Sequence, residues 1–222
     1  MRMRAGLLAL VVSAGAAAAA SLPLVPYPPD YQTSLVRYAV VDRVDGFSRD
    51  LYVSRDALEA VRRDPKLREF PAGALFALDV HRAKQTGRDR KSGAPIFATS
   101  RDGHLDRSKD EHTLHLMQKI QPGFGSQNWA FGGFDPLTGV PLKLELPGDC
   151  LLCHQAALAS DMAFSLALLK RFVETDVVQY RSCGQPGRQV CPFWPPTERA
   201  ERQDAEASRA AVGAGAGRAP PR

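Results

Sequence analysis

Cys150, Cys153 and His154 fall within five positions and form the spacing Cys-x-x-Cys-His, inside Asp149-Cys150-Leu151-Leu152-Cys153-His154. In a helical turn, positions i, i+3 and i+4 share one face, so two thiols and an imidazole address the same object. That arrangement suits covalent attachment of a c-type haem. Two thiols reach the two vinyl groups on one edge of a porphyrin, and the next residue offers a ring nitrogen to the iron. A porphyrin tethered this way does not dissociate, and the proximal histidine sets the starting electronics of the metal.

Two other chemistries use neighbouring cysteines. Zinc takes four ligands in paired clusters, and the chain has no second Cys-x-x-Cys or His-x-x-x-His group to complete one. A dithiol redox pair sits at a helix start in a βαβ pattern and has no need of the following histidine. One covalent haem per chain is the cofactor this motif predicts. Its other axial position has six candidates, Met117, Met162, His81, His104, His112 and His115, none with a distinctive spacing. A filled sixth position would make an electron shuttle, and an open one would bind a small molecule.

The elements that position the motif follow from the rest of the chain. Met1 to Ala20 carries Arg2 and Arg4, an apolar run from Leu7 to Val12 and an alanine tract, the pattern of a secretory signal cleaved near Ala20. A periplasmic or secreted protein is expected, with no membrane span in the mature chain. The formal net charge is +5, and loss of Arg2 and Arg4 brings it to +3. So mild a balance points to no nucleic-acid partner, while a local basic patch can still steer an external redox partner. Residues 1–20 are thus the signal, 21–33 a Pro-rich extended lead-in, 34–194 one haem domain and 195–222 a disordered or solvated tail.

Within the domain, Leu35 to Asp42 and Leu51 to Val53 read as strands, with Ser54 opening a helix through Leu58 and Val61. Ala74 to His81 is a further strand in which Phe76 and Leu78 share one face and Leu75, Ala77 and Asp79 the other. Thr86 to Gly93 and Arg101 to Glu111 read as charged loops flanking a short strand at Pro95 to Ala98. Thr113 to Met117, Gln127 to Phe131 and Leu142 to Leu146 complete an antiparallel set that leads into the motif. Apolar residues from Leu158 to Phe172 recur at helical spacing. The fold class is α+β, mainly antiparallel sheet with a few helices and a haem-binding helical turn late in the domain. Cys183 and Cys191, in an exported chain, are expected to pair.

The order of Tyr27-Pro28, Leu51-Tyr52-Val53, Phe70-Pro71-Ala72-Gly73, Asn128-Trp129-Ala130-Phe131, the haem motif and Asp161-Met162-Ala163-Phe164-Ser165 resembles the cytochrome P-460 family, which includes the nitric-oxide-binding cytochromes c′-beta. The resemblance spans Pro26 to Phe172. It implies a homodimer, thioether bonds at Cys150 and Cys153, His154 as the axial ligand of a five-coordinate iron, and an exposed distal pocket. In hydroxylamine-oxidising members a lysine after the Pro-x-Gly turn cross-links to the porphyrin. This chain aligns Leu78 there, and Lys84 lies six residues on, out of reach along a straight strand at roughly 3.3 Å per residue.

Phe76 and Leu78 are therefore expected to line an apolar distal pocket suited to neutral ligands such as nitric oxide. Glu145 occupies the place where the family can carry a distal carboxylate, a proton relay if buried, although the alternation of Leu142, Leu144 and Leu146 turns it to the opposite strand face. The expected function is an exported mono-haem cytochrome that binds a small nitrogen oxide and is redox-cycled by an external partner. The alternatives are a haem oxidoreductase acting on hydroxylamine or a related nitrogen compound, and a six-coordinate electron-transfer cytochrome.

Overall fold

The computed structural model describes residues 25–142 and 147–183. Its frame is a six-stranded sheet in the order β7-β6-β3-β2-β1-β8, built from β1 (Val36–Arg43), β2 (Phe47–Val53), β3 (Leu75–Ala83), β6 (Arg107–Lys119), β7 (Trp129–Phe134) and β8 (Gln179–Cys183). Every pairing is antiparallel except that of β8, which lies parallel to β1. The class is α+β. β4 (Gln85–Arg88) and β5 (Pro95–Phe97) form a separate hairpin.

Strand alternation divides the sheet into two apolar faces. The front carries Leu51, Val53, Phe76, Met117 and Phe131, and is covered by Leu58 and Val61 of α2 (Arg55–Arg63) and by Leu169 and Phe172 of α4 (Leu166–Thr175). The back carries Tyr52, Ala77, Leu114, Leu116 and Phe134. Residues that precede β1 cover this back face. Val25, Tyr31 and Leu35 are buried there, and α1 (Tyr31–Ser34) is a helical turn. The lead-in is therefore not simply extended: a sheet that is apolar on both faces needs a cover on each.

The structure differs from the sequence reading at other points, each for a tertiary reason. Part of the expected loop from Thr86 is strand β4. Part of the expected loop before Glu111 belongs to β6, where the charge of Arg107 is met by Asp50 across the sheet, with Nη2 donating to Oδ1 at 2.9 Å. Ser126–Asn128 is a 3-10 turn, and β7 starts only at Trp129. Ser54 precedes α2 as expected, but its hydroxyl accepts the Leu75 N–H at 3.1 Å instead of capping the helix.

The apolar period from Leu158 to Phe172 is not one helix. α3 (Pro147–Gln155) is followed by a 3-10 turn at Leu158–Ser160 and a break before α4. Cys183 is disulfide-bonded and buried. Cys191, Glu145, the strand beyond Leu142, the proposed signal and the tail lie outside the described residues.

Candidate haem site

Cys150, Cys153 and His154 all stand on α3, with Pro147 at its first position, where a missing N–H costs nothing. Neither cysteine is in a disulfide. Cys150 and Leu151 pack against the front core, and Cys153 is exposed.

His154 is held from three sides. Its Nδ1 lies 2.7 Å from the Met162 carbonyl oxygen, and the rings of Phe131 and Phe164 stand 5.1 and 4.9 Å from its own. A carbonyl only accepts, so Nδ1 carries the proton and Nε2 keeps its lone pair. Burial lowers the pKa of the ring against the opposing pull of the Met162 carbonyl, which favours the neutral, metal-binding form.

The Met162 carbonyl reaches His154 because the chain turns sharply just before it. Asp161 and Met162 both have positive φ, 49° and 70°, a conformation costing L-residues roughly 1–2 kcal/mol each. Asp161 offsets that cost. Fully buried, its carboxylate accepts the Phe70 N–H at 2.8 Å, the Lys119 ammonium at 2.7 Å on both oxygens, and the Trp129 indole N–H at 3.2 Å. The helical period of the sequence is broken here because these three partners outweigh local helix preference.

On the front face, one cross-strand row reads Ala39, Leu51, Leu78, His115 and Gly133, and the next reads Val41, Arg49, Val80 and Thr113. His115 has its pKa lowered by burial and by the charges of Arg49 and His154, so these two rows lie close to the motif. Arg49 is lowered to about 10 by burial and by Arg43, opposed by Asp45 and Cys153. Its Nε is buried without a hydrogen-bond partner among the described residues.

A model of the cytochrome P460 family matches residues 28–165. The chain belongs to the cytochrome P460 family. No curated protein matches it. Membership implies a haem cofactor, and the residues of this P460 chain fit one. Two thiols share a helical turn with an imidazole whose Nε2 is left with its lone pair, and a buried guanidinium nearby has a donor still to give, as a haem propionate would require.

The remaining residues singled out from the sequence are distributed unevenly around this P460 site. Leu78 lies on the motif's side of the sheet, half-buried against the front core and paired with His115. Phe76, one row away, is buried with its ring 4.9 Å from Phe70 and 6.1 Å from Trp129. Of the axial candidates, Met117 and Met162 have side chains packed in the core, His104 stacks edge-on against Tyr180, and His81 and His112 lie on the back face. His115 alone among them sits on the front face within reach of His154's charge, and its Nε2 is 3.2 Å from Thr113 Oγ1. Arg49 and the Lys119–Asp161 pair were not legible as site residues. The only hint was an acidic residue, Asp161, inside an apolar helical period.

Proposed function

We propose that this P460-family chain carries one haem covalently through Cys150 and Cys153, with His154 Nε2 on the iron, and binds a small nitrogen oxide, nitric oxide first of all, on the opposite side. Bound there, the haem supplies an open coordination position and a one-electron couple. The chain's own residues hold and shape that position. The Met162 carbonyl fixes the tautomer and orientation of His154, and Phe131 and Phe164 restrict its ring.

The observation that carries the reading is Leu78 on the motif's side of the sheet, at the place where hydroxylamine-oxidising relatives are expected to carry a lysine. Leucine makes no porphyrin bond. Lys84 is exposed beyond the end of β3, and the Lys119 ammonium is committed to Asp161 and to the Gly123 carbonyl. An aliphatic wall favours a neutral diatomic ligand over one whose charge needs a donor. In this reading the protein is exported through the residue 1–20 signal, is reduced or oxidised by an external partner, and assembles as a homodimer.

The test is the absorption spectrum of the periplasmically expressed protein, ferric and ferrous, with and without nitric oxide. An ordinary c-type Soret band that shifts on adding nitric oxide is expected. A strongly red-shifted ferrous band would put hydroxylamine oxidation first, and a low-spin six-coordinate spectrum indifferent to nitric oxide would make the protein an electron shuttle with His115 as the candidate ligand.

A further inference from the structure

We propose a second metal site, for a divalent cation of the zinc–copper class, on the back face of the sheet at Asp79, His81 and His112. Asp79 and His81 alternate with Leu78 along β3 and therefore point away from the haem motif, and His112 pairs with His81 from β6. The site is separate from the proposed haem and does not depend on it.

Five features of the cluster meet what a cation site requires. The donor set is two imidazoles and one carboxylate, with one ligand atom of each lying within 4.8 Å of the others. That mixture selects borderline first-row divalent ions over magnesium or calcium. Both imidazoles turn the same atom to the same place: His81 Nε2 is 3.2 Å from Asp79 Oδ1, and His112 Nε2 contacts that oxygen too. Ligands bound at about 2.0 Å in a tetrahedron stand about 3.3 Å apart, so His81 and Asp79 are already at working separation and His112 needs only to swing outward.

The orienting partner is also in place. Tyr31 O–H donates to Asp79 Oδ2 at 2.7 Å and Gln32 Nε2 donates to Tyr31 at 3.2 Å, which leaves Oδ1 as the oxygen for the ion. Access is from the side of the two histidines. The Asp79 side chain is fully buried, whereas those of His81 and His112 are 15% and 17% exposed. Three protein ligands and a solvent-facing side leave a position for water or a small ligand.

The two imidazole rings stack with centroids 4.0 Å apart and planes 19° apart. Without a cation, both rings direct Nε2–H to one carboxylate oxygen. With one, each ring binds the ion through Nε2 and keeps its proton on Nδ1. Asp79 as carboxylate leaves the loaded site with one net positive charge.

The experiment is zinc titration of the haem-loaded full chain, read as zinc per haem iron after gel filtration, alongside His81→Gln, His112→Gln, Tyr31→Phe and, as a control, His104→Ala. One zinc per iron is expected in the parent and in His104→Ala, with loss of stoichiometric zinc in both glutamine variants and about tenfold weaker binding in Tyr31→Phe. The Soret band should not move in any of them. Absence of zinc from the parent, or retention by both glutamine variants, would overturn the proposal. Copper(II) resonance of the parent gives a reading free of any variant: hyperfine structure from two imidazole nitrogens supports the site, and one or none overturns it.

Discussion

His154 Nδ1 and the Met162 carbonyl oxygen lie 2.7 Å apart, and the backbone that delivers this carbonyl is held one residue earlier by Asp161 on Lys119. The orientation of the proposed iron ligand therefore depends on an ion pair on the far side of a strained turn. A metal-ligating histidine gains basicity and a fixed tautomer from such a partner. Here the partner is main chain, so the turn itself is the element that must be kept.

Asp161→Asn leaves the Lys119 ammonium buried without its counter-charge and is expected to cost about 3–5 kcal/mol in denaturant unfolding. Adding Lys119→Met removes the stranded charge and should recover a substantial part of that loss. Failure of the second substitution to recover any stability would mean that Asp161 acts through its bonds to Phe70 and Trp129 instead.

Replacing both Cys150 and Cys153 with serine is expected to abolish haem staining after denaturing electrophoresis, because serine forms no thioether. Staining equal to that of the parent would overturn the attachment assignment. Single replacements should leave staining reduced, with one bond remaining.

Arg49→Met should have opposite effects in the two forms of the protein. In the haem-free chain the buried Nε lacks a partner, and an unsatisfied donor costs about 1–3 kcal/mol, so its removal should be neutral or stabilising in thermal unfolding. In the haem-loaded chain, with a propionate on the guanidinium, the same change should lower the unfolding temperature. A shift of the same sign in both forms would separate Arg49 from the haem.

Val25→Ala tests the back-face cover. Val25 is 2% exposed and packs with Leu114 and Phe134, and losing two methyl-sized groups there is expected to cost about 2 kcal/mol. A surface-like change under about 0.5 kcal/mol would show that the residues before β1 contribute little.

Much of the frame was legible because it rests on local periodicity. Richness in β-branched and aromatic residues marked β1, period-two alternation marked β3 and placed Phe76 and Leu78 together on one face, and the i, i+3, i+4 spacing put Cys150, Cys153 and His154 on one turn. The errors arose where distant partners overrode local signals. Arg107 lies in a charge-rich stretch that reads as a loop until Asp50 is seen across the sheet. Strand β8 and the packing of Tyr31 on the back face likewise depend on neighbours far away in the chain.

The proposed chemistry of the Cys-x-x-Cys-His motif comes from the sequence itself, because covalent attachment would need only three residue types at a fixed local spacing. Tertiary structure decided what surrounds it. The helical period through Met162 is broken since one carboxylate, Asp161, finds Phe70, Lys119 and Trp129 from three other segments. Histidines 81 and 112, scattered in the sequence, meet at Asp79 on the back face because antiparallel register sets them opposite each other. Spacing along a chain encodes which groups share a turn; which groups share a pocket is settled only when strands choose their partners.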